Sequence, residues 1–442
     1  MNAGSKVAFI FSQFPCYDET FILREMNELK AIGLGFEIYS LKSPKDKIVH
    51  EEASGLLQAT SYLSFVSLRL QALDLFFLFR HPGRYFSAFF GTLVRLFKSP
   101  EFFFKTGCLW YKAVGFAWLA RKQGITHVHG QWATYPATVA YIISKLNNIP
   151  FSFTGHAHDI YLDTTMLAFK MNRAKFIITC TENNKKYLLG LLDKDKAKTE
   201  IVNKIIVNYH GVDLERFKRE EDVSGSDLVK QDPTSATSII DHRLRILSVG
   251  SLLECKGFEY LIEACGMLRE KGVEFECTIA GGGKLEERLK LQAAGLGFVE
   301  AEPFQQLSDL PRFGLRFTGY IKQEELIPIY KQADVFVLAM VPEKHWGIPN
   351  VLIEAMAASV PVVCTMLPSI PELVEDGKTG FIIPAKDPAA IAVILEKLCR
   401  DEALRKRIGE AGRKVAEEKF DMVKNAEKLM RTMLYGSDLI YL

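Results

Sequence analysis

Twice along this chain, short apolar runs alternate with stretches in which apolar residues recur at helical spacing, and a polar stretch separates the two rounds. That pattern restricts the fold to two consecutive α/β units, each built on a parallel sheet covered by helices. In the first round Lys6–Ser12 reads as a strand, a helix begins near Glu19 with Ile22, Met26 and Leu29 on one face, and Phe36–Leu41 returns to strand. Thr126–Gly130, Phe151–His156, Lys175–Cys180 and Lys204–Gly211 are further strand-like runs. Between Val212 and His242 the sequence turns charged and Ser/Thr/Asp-rich, the composition of a linker. Alternation then restarts with Arg245–Gly250, a helix from Gly257 that sets Phe258, Leu261, Ile262, Cys265 and Leu268 on one face, and Phe275–Ala280, Val335–Ala339, Pro361–Cys364 and Gly380–Pro384. The expected organisation is a first domain over 1–212, a linker over 213–242, a second domain over 243–418, and a helix in 419–442 that crosses back to the first domain. A chain of 442 residues exceeds what one core usually supports, which agrees with two doubly wound, Rossmann-like domains facing a central cleft.

Composition narrows the function. Net charge is +2, which argues against nucleic acid as a partner, but residues 1–212 carry 25 Lys/Arg against 16 Asp/Glu and the remainder 30 against 37. The eight cysteines lack a C-x-x-C pair, and several sit inside apolar runs, so they read as buried thiols of a cytosolic protein. The first residues lack the apolar stretch and cleavage site of a signal peptide. No run reaches the roughly 18 apolar residues of a spanning helix. Residues 60–122 nevertheless combine many Phe, Tyr and Trp with nine Lys/Arg and only Asp74 and Glu101. Such helices either pack over the first domain or lie on an anionic membrane, and both readings stay open.

Ligands of open parallel sheets sit outside the carboxyl ends of the strands, so the loops there are the places to search. In the second round three of them suit a nucleotide diphosphate. In Gly250-Ser251-Leu252-Leu253-Glu254-Cys255-Lys256-Gly257 a cation arrives just before a helix; in Ala280-Gly281-Gly282-Gly283-Lys284 missing side chains let backbone N–H groups approach an anion, although three glycines also make a plain turn. In Trp346-Gly347-Ile348-Pro349-Asn350-Val351-Leu352-Ile353-Glu354-Ala355-Met356, Gly347 and Pro349 make the turn. Asn350 is the expected N-cap, and Val351 and Leu352 offer N–H groups to phosphate. Glu354 lies one turn further on the same face, where it can accept hydrogen bonds from ribose hydroxyls.

From Arg245 to Pro388 the chain closely resembles glycosyltransferase family 4, the retaining GT-B family, through G-S-L-L-E-C-K-G, I-A-G-G-G, F-T-G-Y-I, A-D-V-F-V-L, G-I-P-N-V-L-I-E-A-M-A and D-G-K-T-G-F-I-I-P. The resemblance implies that Lys256 binds the donor diphosphate, Glu354 holds the ribose, and Gly319 and Tyr320 lie near the base. Phe14-Pro15, Glu19-Thr20-Phe21-Ile22 and Phe151-Ser152-Phe153-Thr154-Gly155-His156-Ala157-His158-Asp159-Ile160-Tyr161 add a narrower likeness to members that build exopolysaccharide of the colanic acid and amylovoran type. His156 matches the histidine that in this family faces the donor sugar, through either ring nitrogen; a purely structural histidine is the alternative. Glu19, Thr20, His129, His158 and Asp159 are the expected acceptor-side residues of the cleft.

Two departures stand out. Ser251 occupies the place of an arginine, and Trp346 that of the first of two glutamates spaced eight positions apart; Glu343, His345 or stacking by the indole are the available substitutes. His127 and His129 alone fall short of a metal site, Asp193-Lys194-Asp195 sits among lysines, and no metal or other cofactor is expected. The implied reaction moves a hexose with retention from a UDP- or GDP-linked donor to a glycan, expected to be lipid-linked, in exopolysaccharide or cell-surface polysaccharide synthesis, at the inner face of the cytoplasmic membrane. The competing reading is a degenerate GT-B protein that binds nucleotide or glycan without turnover.

Overall fold

The computed structural model describes residues 6–16, 19–44, 53–64, 67–96, 100–192, 200–219, 243–298, 312–342 and 347–436. Most of the predicted linker, from 220 onward, and Asp193-Lys194-Asp195 lie outside the described residues. The chain divides into a first unit of Met1–Gly211 with Met422–Leu442 and a second of Val212–Asp421.

In the first unit β1 (Val7–Phe11), β2 (Phe36–Ser40), β3 (Thr60–Tyr62), β4 (His127–Gly130), β5 (Phe151–Gly155), β6 (Ile177–Thr179) and β7 (Ile205–Val207) form a parallel sheet in the order β3-β2-β1-β4-β5-β6-β7. β1, β4 and β5 are buried at every position, as strands covered on both faces must be; β1 is an unbroken apolar run, while β4 carries His127 and His129 and β5 carries Ser152 and Thr154. β3 escaped the sequence reading because its three residues are only partly covered. The helix Thr20–Ala31 buries Ile22, Leu23, Met26 and Leu29. The helix Met422–Tyr435 packs Ala426, Leu429 and Met433 into the same core.

The aromatic stretch forms three helices, Leu68–Arg80, Pro82–Leu96 and Pro100–Lys122. Asp74 fastens them together: its carboxylate accepts from the Tyr85 hydroxyl at 3.0 Å and the Trp110 indole N–H at 2.9 Å. Phe77 and Phe116 are fully buried, the latter stacked on Tyr39 at 4.8 Å. Leu68, Phe79 and Phe104 are instead 85%, 78% and 76% exposed. The helices therefore pack over the sheet with one face and leave apolar side chains outside on another. Among the described residues no helix is long and apolar enough to cross a membrane. The expectation of buried thiols fails at Cys108, which is exposed on this surface; Cys265, Cys277 and Cys364 are buried.

In the second unit β8 (Leu244–Val249), β9 (Phe275–Ala280), β10 (Phe313–Phe317), β11 (Val335–Leu338), β12 (Val362–Thr365) and β13 (Phe381–Ile383) form a parallel sheet in the order β10-β9-β8-β11-β12-β13. β10 went unread because Gly314 and Arg316 interrupt its apolar pattern. Arg245 grips Asp334 with two side-chain N–H groups at 3.0 and 2.9 Å, and so pins the residue just before β11 beside β8. Asp387 and Asp401 cap the helices Pro388–Arg400 and Glu402–Lys419, accepting from Ala390 and Leu404 N–H at 2.9 and 2.8 Å.

Candidate active site

In the second sheet the strand order turns back between β8 and β11, and ligands of such sheets bind beyond the carboxyl ends of the strands at that point. The loop after β8 leaves Ser251 exposed and ends in a tight turn, Glu254–Lys256, before the helix Phe258–Glu270. Lys256 is half-buried, and burial pushes its ammonium pKa below the usual lysine range. Gly257 takes φ +67°, and a Cβ there would lie 1.9 Å from the Ala339 carbonyl oxygen. Val341 N–H donates to the Cys255 carbonyl at 3.0 Å. The segments that follow β8 and β11 are thus fastened backbone to backbone at the switch point.

In the glycine loop after β9 the expectation of open N–H groups fails at Gly281. Gly281 N–H donates to the Gly319 carbonyl at 2.9 Å, and a Cβ on Gly281, at φ +142°, would lie 2.0 Å from the Gly250 carbonyl oxygen. This residue is glycine because three loops meet there. Gly282 differs: its nearest would-be Cβ neighbours, Glu286 Oε2 and Tyr320 N, stand at 3.8 Å. Tyr320 is 64% exposed at the same rim.

After β11, Gly347, Ile348 and Pro349 are half-buried and lead into the helix Asn350–Ala357. Its cap is Pro349, not Asn350, which is the first helical residue and makes no capping bond with its side chain. The Pro349 carbonyl takes the N–H of Leu352 at 3.1 Å. Glu354 is 6% exposed, and its carboxylate accepts from Gln323 Nε2 at 3.3 Å and from the Tyr330 hydroxyl at 3.1 Å. The sequence reading missed both donors. They lie seven positions apart, one face of the helix Gln323–Gln332, a spacing that signals a shared target only once Glu354 is known to face it. Trp346, Glu343 and His345 lie outside the described residues.

In the first unit His156 follows β5 and is 6% exposed. Its Nε2–H donates to the Gln131 carbonyl at 3.1 Å, while Nδ1 stands 3.3 Å from Cys180 Sγ. The expectation that either nitrogen is open is therefore corrected: Nε2 is committed, and Nδ1 is the one that can change partner. Burial holds the ring neutral, well below the usual histidine range.

Two acceptor-side assignments take new places. His129 is fully buried between Ser152 Oγ at 2.7 Å and Thr154 Oγ1 at 2.9 Å, so it is a core histidine and not a cleft residue. Asp159 is also buried: its carboxylate accepts from Ala133 N–H, and burial raises its pKa. Nearby Lys170, whose pKa burial lowers, donates to the Ala133 and Thr134 carbonyls. Asp159 and Lys170 thus organise the Trp132–Thr134 turn, where an acceptor contact had been expected. His158 is exposed, and Glu19 and Thr20 are half-buried at the start of the helix Thr20–Ala31.

Residues 233–415 match the family model described as glycosyl transferases group 1. The amylovoran biosynthesis glycosyltransferase AmsK of Erwinia amylovora is 39% identical over 163 residues, 36% of this chain and 37% of that protein. WcaL of Salmonella typhimurium, a glycosyltransferase named for colanic acid biosynthesis, is 33% identical over 220 residues, 49% of this chain and 47% of that protein. The matched stretches span about half the length of these curated relatives or less. The crystal structure of Anabaena Alr3699/HepE in complex with UDP aligns over 97% of this chain and 99% of its own, with TM-score 0.63 and 14% identity, a likeness of fold. The fold is GT-B, two Rossmann-like α/β units, and the resemblance read from the second-domain motifs is borne out.

Proposed function

We propose that this chain, whose residues 233–415 are group 1 glycosyltransferase sequence, moves a hexose with retention from a UDP- or GDP-linked donor to a glycan acceptor in polysaccharide biosynthesis. The observation that carries the reading is that the Lys256 loop is fastened at the switch point to the segment after β11, which precedes the Glu354 helix in the chain, by Val341 N–H to Cys255 and by Gly257 against Ala339. A half-buried ammonium acts in a lower dielectric than a surface lysine, so Lys256 stabilises charge building on the departing diphosphate more strongly. The first-turn N–H groups of the helix Asn350–Ala357 add to it. Glu354, oriented by Gln323 and Tyr330, is the acceptor for the ribose hydroxyls in this reading.

In this reading the bond from the anomeric carbon to phosphate breaks, the acceptor oxygen bonds to that carbon on the face the nucleotide leaves, and the departing phosphate oxygen takes the acceptor proton. Neither a protein nucleophile nor a metal is assigned to these steps. Exchange of its Cys180 contact lets His156 Nδ1 reach a sugar hydroxyl. The UDP complex of a protein with this fold supports a uridine donor. The exposed Leu68, Phe79 and Phe104, with basic residues such as Arg69 and Arg80 on the same helices, support an acceptor carried by lipid at an anionic membrane.

Lys256→Ala and Glu354→Ala test the site. Each is expected to lower nucleotide release from nucleotide sugars at least 100-fold with an unchanged melting curve, a loss of about 3 kcal/mol in transition-state stabilisation. Wild-type turnover in both variants removes the site from the reaction.

A further inference from the structure

Cys180, His156 and His210 come from three separate strand ends of the first unit, those after β6, β5 and β7, and their ligand atoms lie within 4.8 Å of one another. Cys180 Sγ stands 3.3 Å from His156 Nδ1 and 2.9 Å from His210 Nε2. In a tetrahedral zinc site, with Zn–S about 2.3 Å and Zn–N about 2.0 Å, the sulfur and nitrogen ligands are roughly 3.5 Å apart. The two sulfur-to-nitrogen spacings are therefore close to those an ion imposes, and binding would bring the two imidazoles together from within 4.8 Å.

The surroundings fit a metal as well. His156 gives its other ring N–H to the Gln131 carbonyl, the outer bond that fixes the tautomer of a ligating histidine and turns the Nδ1 lone pair toward the sulfur. Burial keeps both imidazoles neutral, with His210 lowered to about 4, so neither must lose a proton to bind. Phe21 packs on His210 at 4.4 Å and Trp132 on His156 at 4.3 Å, an apolar wall that limits water. One thiolate and two imidazoles form a soft, borderline set that selects zinc over magnesium or calcium. None of this was legible in the sequence, where Cys180 and His210 are isolated and His127 with His129 draws the eye.

We infer that Cys180, His156 and His210 bind a zinc ion through Sγ, Nδ1 and Nε2, leaving a fourth position for water or an anion. As the Zn–S bond forms, the thiol proton leaves to solvent, and the two imidazoles donate lone pairs without a change of protonation. Where His156 Nδ1 serves the donor sugar, which rests on the function proposed above, the ion takes that nitrogen and zinc inhibits transfer.

The test of binding is independent of activity. The full chain, stripped of metal, is titrated with Zn2+ against a chromophoric chelator and with Co2+ in the spectrophotometer. One ion per chain and a sulfur-to-cobalt charge-transfer band are expected, with Cys180→Ser and His210→Ala each weakening affinity at least 100-fold and Cys108→Ser leaving it unchanged. X-ray absorption of the zinc-loaded wild-type protein, which needs no variant, is expected to show one sulfur and two imidazole nitrogens. A ligand shell without sulfur, or wild-type affinity in Cys180→Ser, overturns the site. Zinc bound with that shell but without effect on transfer overturns only the inhibition.

Discussion

Two neighbouring glycines separate packing from ligand contact in the loop after β9. At Gly281 the backbone sits at φ +142° and an added Cβ would stand 2.0 Å from the Gly250 carbonyl oxygen. An alanine held in such a conformation costs roughly 1–3 kcal/mol before any clash is counted. Relief of a 2.0 Å contact between backbone atoms requires the loops after β8 and β9 to part, so Gly281→Ala is expected to lose at least about 3 kcal/mol of second-unit stability. For a unit of this size each kcal/mol moves the melting midpoint by about 2–4 °C, hence a fall of roughly 6–12 °C. Gly282 has no such neighbour within 3.8 Å, and Gly282→Ala is expected to melt within about 0.5 kcal/mol of wild type. If the loop lines the diphosphate, the methyl at 282 intrudes on the ligand and UDP affinity falls about tenfold, or 1.4 kcal/mol. Differential scanning calorimetry and isothermal titration with UDP read the two effects separately. Wild-type UDP affinity in Gly282→Ala refutes the contact with donor, and an unchanged midpoint in Gly281→Ala refutes the packing argument.

Burial lowers the His127 pKa to about 3, with Lys175 adding to the shift, so the folded state binds fewer protons than the unfolded chain between pH 6.5 and about 3. Stability from this group is present above pH 6.5 and is lost as pH falls through that window, and His127→Phe is expected to flatten the urea-unfolding slope by about 1.4 kcal/mol per pH unit. An unaltered slope in the variant contradicts the assignment. At the aromatic helices, Leu68→Asp with Phe79→Asp places two carboxylates at positions 85% and 78% exposed, so the melting curve should stay within about 0.5 kcal/mol of wild type. Flotation with anionic liposomes is expected for the wild-type chain and not for the double variant; equal flotation of both counts against this face as the membrane contact.

The order of strands and helices was legible because parallel strands buried on both faces leave unbroken apolar runs, as in Val7–Phe11 and Val335–Leu338. Among the described residues only β3, partly covered, and β10, interrupted by Arg316, evaded that signal. Site residues were legible by type and position along the chain, not by exposure. His129 and Asp159 follow the same strand-end logic as His156, yet each is held inside the unit, His129 by Ser152 and Thr154 and one Asp159 oxygen by Ala133 N–H. Sequence gives no account of which buried polar group has local partners. The same limit hid Gln323 and Tyr330, whose role appears only because both donate to Glu354.

Charge at this site is held by contacts made before any ligand arrives. Lys256 ends a tight turn whose next residue, Gly257, abuts the Ala339 carbonyl, and Glu354 sits on a helix with its carboxylate tied to Gln323 and Tyr330. Electrostatic stabilisation of a leaving group is effective when its donors need not reorganise as charge develops. It follows that the glycines at the switch point and the charged residues beside them should fail differently. Loss of Gly257 or Gly281 loosens the frame and lowers stability and donor binding together, whereas loss of Lys256 or Glu354 leaves the frame standing and removes only the charge it was built to hold.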